Sequence, residues 1–195
     1  YGLTNNLSLI MTAQTKLSAP QLLEPIDLSL PLDSSDLLIQ VTDPTVFAEA
    51  HIEGAVLLSP AQLCCGVPPA VGKLPDIDSL HGALAGIGYH PDRRIIAYDD
   101  EGGGWAGKLL WVLDVIGHKH WAYLNGGLHA WAGAGKSLSH GTFQAQDTAA
   151  DFTLNINHQA IAEIEDVLQA ISDPEQIIWD VRSQDEYLGL RSGSA

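Results

Sequence analysis

The 195-residue chain carries 24 acidic against 9 basic residues, a formal net charge of −15 at pH 7. Its length suits one domain, or one domain and a piece of another, and with 46% hydrophobic and 17% charged residues its composition is globular, which argues against wholesale disorder. The acid excess argues against nucleic acid and against an anionic membrane surface, both of which are gripped through Lys/Arg clusters. No apolar run reaches the roughly 18 residues a spanning helix needs. The two cysteines, Cys64 and Cys65, are adjacent, which excludes a disulfide framework and a four-Cys zinc site. Such sparse cysteine usage points to a reducing compartment, the cytoplasm.

The predicted elements follow in chain order. Residues 1–21 read as a leader or tail, with no basic region to make a signal peptide. Leu37–Val41 is a short apolar strand, after which Asp43 caps a helix with Pro44 at its first position. Ile52–Leu58 reads as a second strand, entered through Gly54, and a Pro-rich loop with Cys64 and Cys65 follows. Asp76 opens a helix carrying Leu80, Leu84 and Ile87 on one face, closed by Gly88. Arg93–Tyr98 is a buried-type strand whose glycine loop, Gly102-Gly103-Gly104, leads into a helix from Trp105 to about Ile116. Trp121–Leu124 is a further strand, turned by Gly126-Gly127 into a helix with Leu128 and Trp131. This alternation predicts an α/β domain with a mainly parallel sheet flanked by helices, over residues 22–136. A polar linker takes up 137–158. A helix over Ile161–Ile171 and an apolar strand, Ile177–Val181, then open a second unit over 159–195.

That second unit repeats the first. Gln40-Val41-Thr42 through Phe47 lines up with Asp180-Val181-Arg182 through Tyr187, at an offset of 140 residues. Each copy has an apolar strand, a polar end and an aromatic further on. The unit as present is too short to close a core of its own.

The chemistry-bearing feature is the loop Asp99-Asp100-Glu101-Gly102-Gly103-Gly104, delivered by a strand onto a helix N-terminus. Such a loop turns successive backbone N–H groups inward and makes an anion nest. A nucleophile at its first position would be stabilised as an anion; that position here is Asp99, and a carboxylate cannot accept sulfur as a thiolate does. Gly102-x-Gly104-x-x-Gly107 also fits a dinucleotide fingerprint. However, the ribose-binding acid about 20 residues on is missing, and three carboxylates would oppose a pyrophosphate. No cofactor is therefore expected. Cys64 and Cys65 read as ordinary loop thiols with no His or Lys beside them, and His118 and His120 lack a third metal ligand. Trp105, Trp111, Trp121, Trp131 and Trp179 read as core or domain-interface residues.

Here the sequence resembles the rhodanese (thiosulfate sulfurtransferase) family in its tandem form. The resemblance is carried by His51-Ile52-Glu53-Gly54-Ala55, by Tyr98 through Gly107, by Leu124-Asn125-Gly126-Gly127-Leu128-His129-Ala130-Trp131, and by Asp180-Val181-Arg182-Ser183 with Glu186-Tyr187. It implies two similar α/β domains, of which the second is catalytic through a cysteine persulfide. The first carries an acid in the nucleophile position, as Asp99 does. Glu53 departs from the usual proline, and Gln40 and Thr42 stand where the second copy has Asp180 and Arg182. Shifting Asp99 by the repeat offset places the expected nucleophile at position ~239, outside this chain. Asp180 and Arg182 are then candidate support for the second-domain site, or simply a structural ion pair. The resemblance implies a small-molecule sulfur donor, a thiophilic acceptor and an intramolecular partner domain missing from this sequence. A non-catalytic binding or scaffold module, and 3-mercaptopyruvate as donor, are the competing expectations.

Overall fold

The computed structural model describes residues 21–144 and 151–191; the predicted leader lies almost wholly outside them. Five parallel strands form one sheet: β1 (Leu22–Leu23), β2 (Asp36–Val41), β3 (Val56–Leu58), β4 (Arg94–Tyr98) and β5 (Trp121–Leu124). Their order across the sheet is β1-β5-β4-β2-β3, so β4 is central. Parallel neighbours require crossovers, and the helices supply them: α1 (Pro44–Glu49), α2 (Ile77–Gly86) and α3 (Gly104–Val115) link successive strands from β2 to β5.

Strand periodicity sorts the core into two layers. Leu37, Ile39, Val41, Ile95 and Ala97 face one side and pack with Leu80, Leu84, Leu109 and Val112 of α2 and α3. Leu38, Ile96 and Tyr98 face the other and meet Leu128 and Trp131 of α4 (Gly127–Gly133). The first two helices start where the sequence predicts. Asp43 accepts the Thr45 N–H at 2.8 Å, and Asp76 accepts the Ser79 N–H at 2.9 Å.

Two predicted strands differ. The one drawn over Ile52–Leu58 is confined to Val56–Leu58, because Ile52 to Ala55 is spent in a tight turn with Gly54 at φ +82°. Ile177–Val181 forms no ladder, and Ile177, Trp179 and Val181 are 91%, 84% and 87% exposed. An apolar run becomes a strand only where a neighbour takes its N–H and C=O groups, and none among the described residues does. The predicted helix over Ile161–Ile171 starts later, as α5 (Ile164–Ser172), after a 3-10 turn at His158–Ala160. A last short helix, α6 (Gln184–Tyr187), is capped by Ser183.

The described parts of the polar linker lie against the first unit. Ser139 bridges His51, Phe152 and Leu154 pack on the α2/α3 core, and the Asn157 N–H donates to the Val115 carbonyl at 2.7 Å. Among the described residues no helix is long and apolar enough to cross a membrane.

Candidate functional site

Open parallel sheets place their sites at the carboxyl ends of the strands. Asp99 stands there, directly after β4, and is 1% exposed. The chain turns through Asp100, Glu101, Gly102 and Gly103 into α3. Gly103, the residue before the helix, has no side chain with which to cap it and sits at φ +102°. Asp99 caps the helix instead. Its Oδ1 accepts the N–H groups of Glu101 at 3.2 Å and Gly103 at 2.8 Å; its Oδ2 accepts those of Trp105 and Ala106, both at 3.0 Å. One carboxylate thus satisfies two loop N–H groups and two that α3 leaves without an intrahelical partner.

The next strand and helix hold this arrangement from outside. The Asp99 carbonyl accepts the Leu128 N–H at 2.9 Å. Gly127, at φ +55°, is forced at the contact, since a Cβ there would run into that carbonyl oxygen. Tyr123 closes the other side: a Cβ on Gly103 would approach its hydroxyl to 2.8 Å. Burial, with the negative charge of Asp99 second, pushes the Tyr123 phenol above its ordinary pKa. His129 Nε2 donates to the Asp100 carbonyl at 2.8 Å, while Asp100 Oδ1 is buried without a hydrogen-bond partner. Glu101 and Gly102 are exposed.

The predicted nest is therefore present, and the chain's own Asp99 fills it. Four converging N–H groups are what an anionic nucleophile or intermediate needs, and all four are taken. A second anion in the same place would meet the carboxylate at close range. The loop holds no sulfur nucleophile.

The other predicted residues lie apart from this loop. Asp180 and Arg182 form an exposed pair, with Nη2 at 2.6 Å and Nε at 2.9 Å from Asp180 Oδ2. Hydrogen bonds from the Arg182 side chain and backbone hold the Asp180 carboxyl down at about 2. The guanidinium lies 5.8 Å from the Tyr187 ring. No hydrogen bond or ion pair joins the two to the Asp99 loop among the described residues.

His118 is buried, with Nδ1 3.0 Å from the Tyr89 hydroxyl and Nε2 donating to the His120 carbonyl at 3.1 Å. Burial lowers its pKa, and it serves as a core histidine. No group of three metal-ligating side chains occurs among the described residues. Trp131 is buried in the core as expected, whereas Trp179 stands exposed. Around Cys64 and Cys65 the loop folds back on itself: the Cys65 N–H donates to the Lys73 carbonyl at 2.8 Å, and Lys108 Nζ from α3 donates to the Gly72 carbonyl at 2.8 Å.

The roles of Tyr123, Gly127 and His129 also escaped the sequence reading. They come from β5 and α4, and only the doubled glycine Gly126-Gly127 marks the spot, as a position where backbone comes close to backbone.

Comparison with known proteins supports the fold and the family. Residues 22–134 match the model of the rhodanese-like domain. Over 173 residues the chain is 36% identical to thiosulfate sulfurtransferases of Pseudomonas aeruginosa and of Azotobacter vinelandii, an overlap of 88% of this chain and 63% of each relative. It thus spans less than two thirds of the length of these relatives. The 3-mercaptopyruvate sulfurtransferase from Leishmania major shares the fold, with a TM-score of 0.68 at 22% identity over 86% of this chain and 48% of that one. The chain belongs to the rhodanese-like domain family.

Proposed function

We propose that this chain supplies the non-catalytic unit of a sulfurtransferase. The complete protein moves sulfane sulfur from thiosulfate to cyanide or another thiophile, and its nucleophilic cysteine lies in a second domain outside this chain. The observation that carries the reading is Asp99: the position that would offer a thiolate to the nest offers a carboxylate, and the nest closes on it. The names and greater length of the two bacterial relatives support the activity and the second domain.

In the complete protein a thiolate attacks the outer sulfur of thiosulfate and expels sulfite, and the resulting persulfide then hands its sulfur to the acceptor. A nest like that around Asp99, but free of a carboxylate, would steady the thiolate and persulfide charge. Asp180 and Arg182 would stand at the matching strand end of that second domain, with Arg182 available to the anionic donor.

The test is thiosulfate-to-cyanide sulfur transfer by this chain and by a protein that continues through a complete second domain, with 3-mercaptopyruvate as alternative donor. Turnover is expected from the longer protein alone. Turnover by this chain would refute the reading, as would a longer protein inert with both donors.

A further inference from the structure

The end of the sheet opposite Asp99 holds a cluster that the proposed activity does not use. Tyr89 follows α2, Arg93 precedes β4, and His118 and His120 precede β5. Residues 152–157 cross this cluster as a strap on their way to α5. Phe152, Leu154 and Ile156 are half-buried and alternate with the exposed Thr153, Asn155 and Asn157. The strap pairs with no strand among the described residues. Two hydrogen bonds tie it down. His81 Nε2, from α2, donates to the Phe152 carbonyl at 3.0 Å, and the Asn157 N–H donates to the Val115 carbonyl at 2.7 Å.

A run of ring contacts leads from the strap to His118. The Phe152 ring centre lies 4.5 Å from that of His81 and meets Tyr89 edge-on at 5.0 Å. Tyr89 in turn lies 5.3 Å from His118. Thr153 and Leu154 share with Tyr89, His118 and His120 the wall of a cavity of about 230 Å³. The strap thus helps to cover His118, which is 5% exposed.

A charge on this imidazole is poorly accommodated. Its Nε2–H donates to the His120 carbonyl, so Nδ1 accepts the Tyr89 hydroxyl at 3.0 Å. A proton on Nδ1 would set donor against donor and strip the hydroxyl hydrogen of its acceptor. The neighbours do not compensate. His120 opposes a charge on His118, Lys119 lines the same cavity, and the Arg93 guanidinium donates to the Gly88 carbonyl beside Tyr89. Asp92 is engaged with His90, and Asp151, at the start of the strap, is exposed. No carboxylate pairs with His118 among the described residues. Burial therefore holds His118 below its ordinary pKa, partly offset by the His120 and Arg93 carbonyls.

We propose that residues 152–157 are a strap released by acid, with His118 as its trigger. Closed, the strap keeps His118 neutral; open, it lets the ring face water and take up a proton near the ordinary value of 6.5. The closed state binds fewer protons, so closure is favoured above that value and gives way as pH falls below it. Charge on His81 acts the other way, by strengthening its bond to the Phe152 carbonyl, but that ring is partly exposed and its charge is screened. Release unties from the end of α3 the segment that leads into α5, and so loosens the second unit from the first.

The test is nuclear magnetic resonance of the chain between pH 7.5 and 5. It follows exchange of the Asn157 amide, corrected for the intrinsic pH dependence, together with the ring contact between Phe152 and Tyr89 and the His118 Cε1 proton. Opening is expected to be about five- to thirtyfold more frequent at pH 5, since each unit of pH below the open-state value adds up to tenfold. Exchange of Ile39 and Ile96 in the sheet should not change. The response should follow the His118 titration, vanish in His118→Gln and persist in His81→Gln. If His118→Gln does not fold, coincidence of the two midpoints in the unaltered chain decides. The proposal is overturned if His118 titrates while the strap stays closed, if strap and sheet loosen together, or if His118→Gln keeps the response.

Discussion

Replacing Asp99 by alanine removes one buried carboxylate and leaves four backbone N–H groups without an acceptor. Hydrogen bonds to a charged group contribute about 1.5–3 kcal/mol each, which sets a gross loss of about 6–12 kcal/mol. Two terms reduce it. Water reaches the exposed Glu101 turn and repairs that side, and removal of the carboxylate also removes its own burial cost. Loss of an ordinary N-cap costs about 1–2 kcal/mol, and Asp99 caps the helix and closes the loop together, so a net loss of about 2–4 kcal/mol is expected. With a urea slope of about 2 kcal/mol per molar, the unfolding midpoint drops by about 1–2 M. The emptied nest should also accept an outside anion. Added sulfate is therefore expected to recover more stability in Asp99→Ala than it adds to the unaltered chain, a comparison that cancels its general stabilising effect. A midpoint shift below about 0.3 M, with no extra response to sulfate, would show that the four contacts do not hold the loop.

Three further outcomes are expected. Gly127→Ala forces a Cβ against the Asp99 carbonyl at a positive φ, and should cost about 2–4 kcal/mol in urea unfolding, more than the same change at the open Gly133. Tyr98→Phe removes a buried hydroxyl that donates to Gln40 Oε1 at 2.8 Å and accepts the Ile52 N–H at 2.9 Å. Both partners are left unpaired, so a loss of about 1–3 kcal/mol is expected from the same measurement. Burial pushes the Tyr89 phenol up to about 12 from its ordinary 10.0. The unfolded chain then releases this proton first, so the contribution of Tyr89 is intact below about pH 10 and is lost as pH rises toward 12, by at most about 2 kcal/mol. Ultraviolet titration of tyrosinate, with and without Tyr89→Phe, and unfolding across that pH window check it.

What was legible in the sequence was local. Asp43-Pro44 and Asp76 mark helix starts because a cap acts within three residues of itself, and the apolar runs at Leu37 and Ile95 mark strands because a buried parallel strand is apolar on both faces. The loop from Asp99 to Gly104 was legible as an anion nest for the same reason, since strand, loop and helix follow without a break. Its occupant was half legible: an acid stands at the first position of the loop, but that its two oxygens take all four N–H groups depends on the depth of the turn. The positions of Tyr123 and Gly127 depend on how β5 and α4 pack against the loop, which no local spacing encodes. The run Ile177–Val181 shows the converse. It has strand composition, and composition alone does not supply the neighbour that a ladder requires.

The acidic loop also shows what a turn of this kind, from strand into helix, needs in order to stay folded. The site is assembled from backbone N–H groups at a helix start, and these need an acceptor whether or not any reaction takes place. A neutral, short side chain at position 99 would leave them unpaired, whereas an aspartate supplies the missing anion permanently. At an effective dielectric near 20, two unit charges about 4 Å apart repel by about 4 kcal/mol, so a second anion is disfavoured in the filled nest. The residue that stabilises the loop is therefore the residue that blocks it. All four donors are committed to Asp99, and it is through them that this side chain holds the turn between β4 and α3.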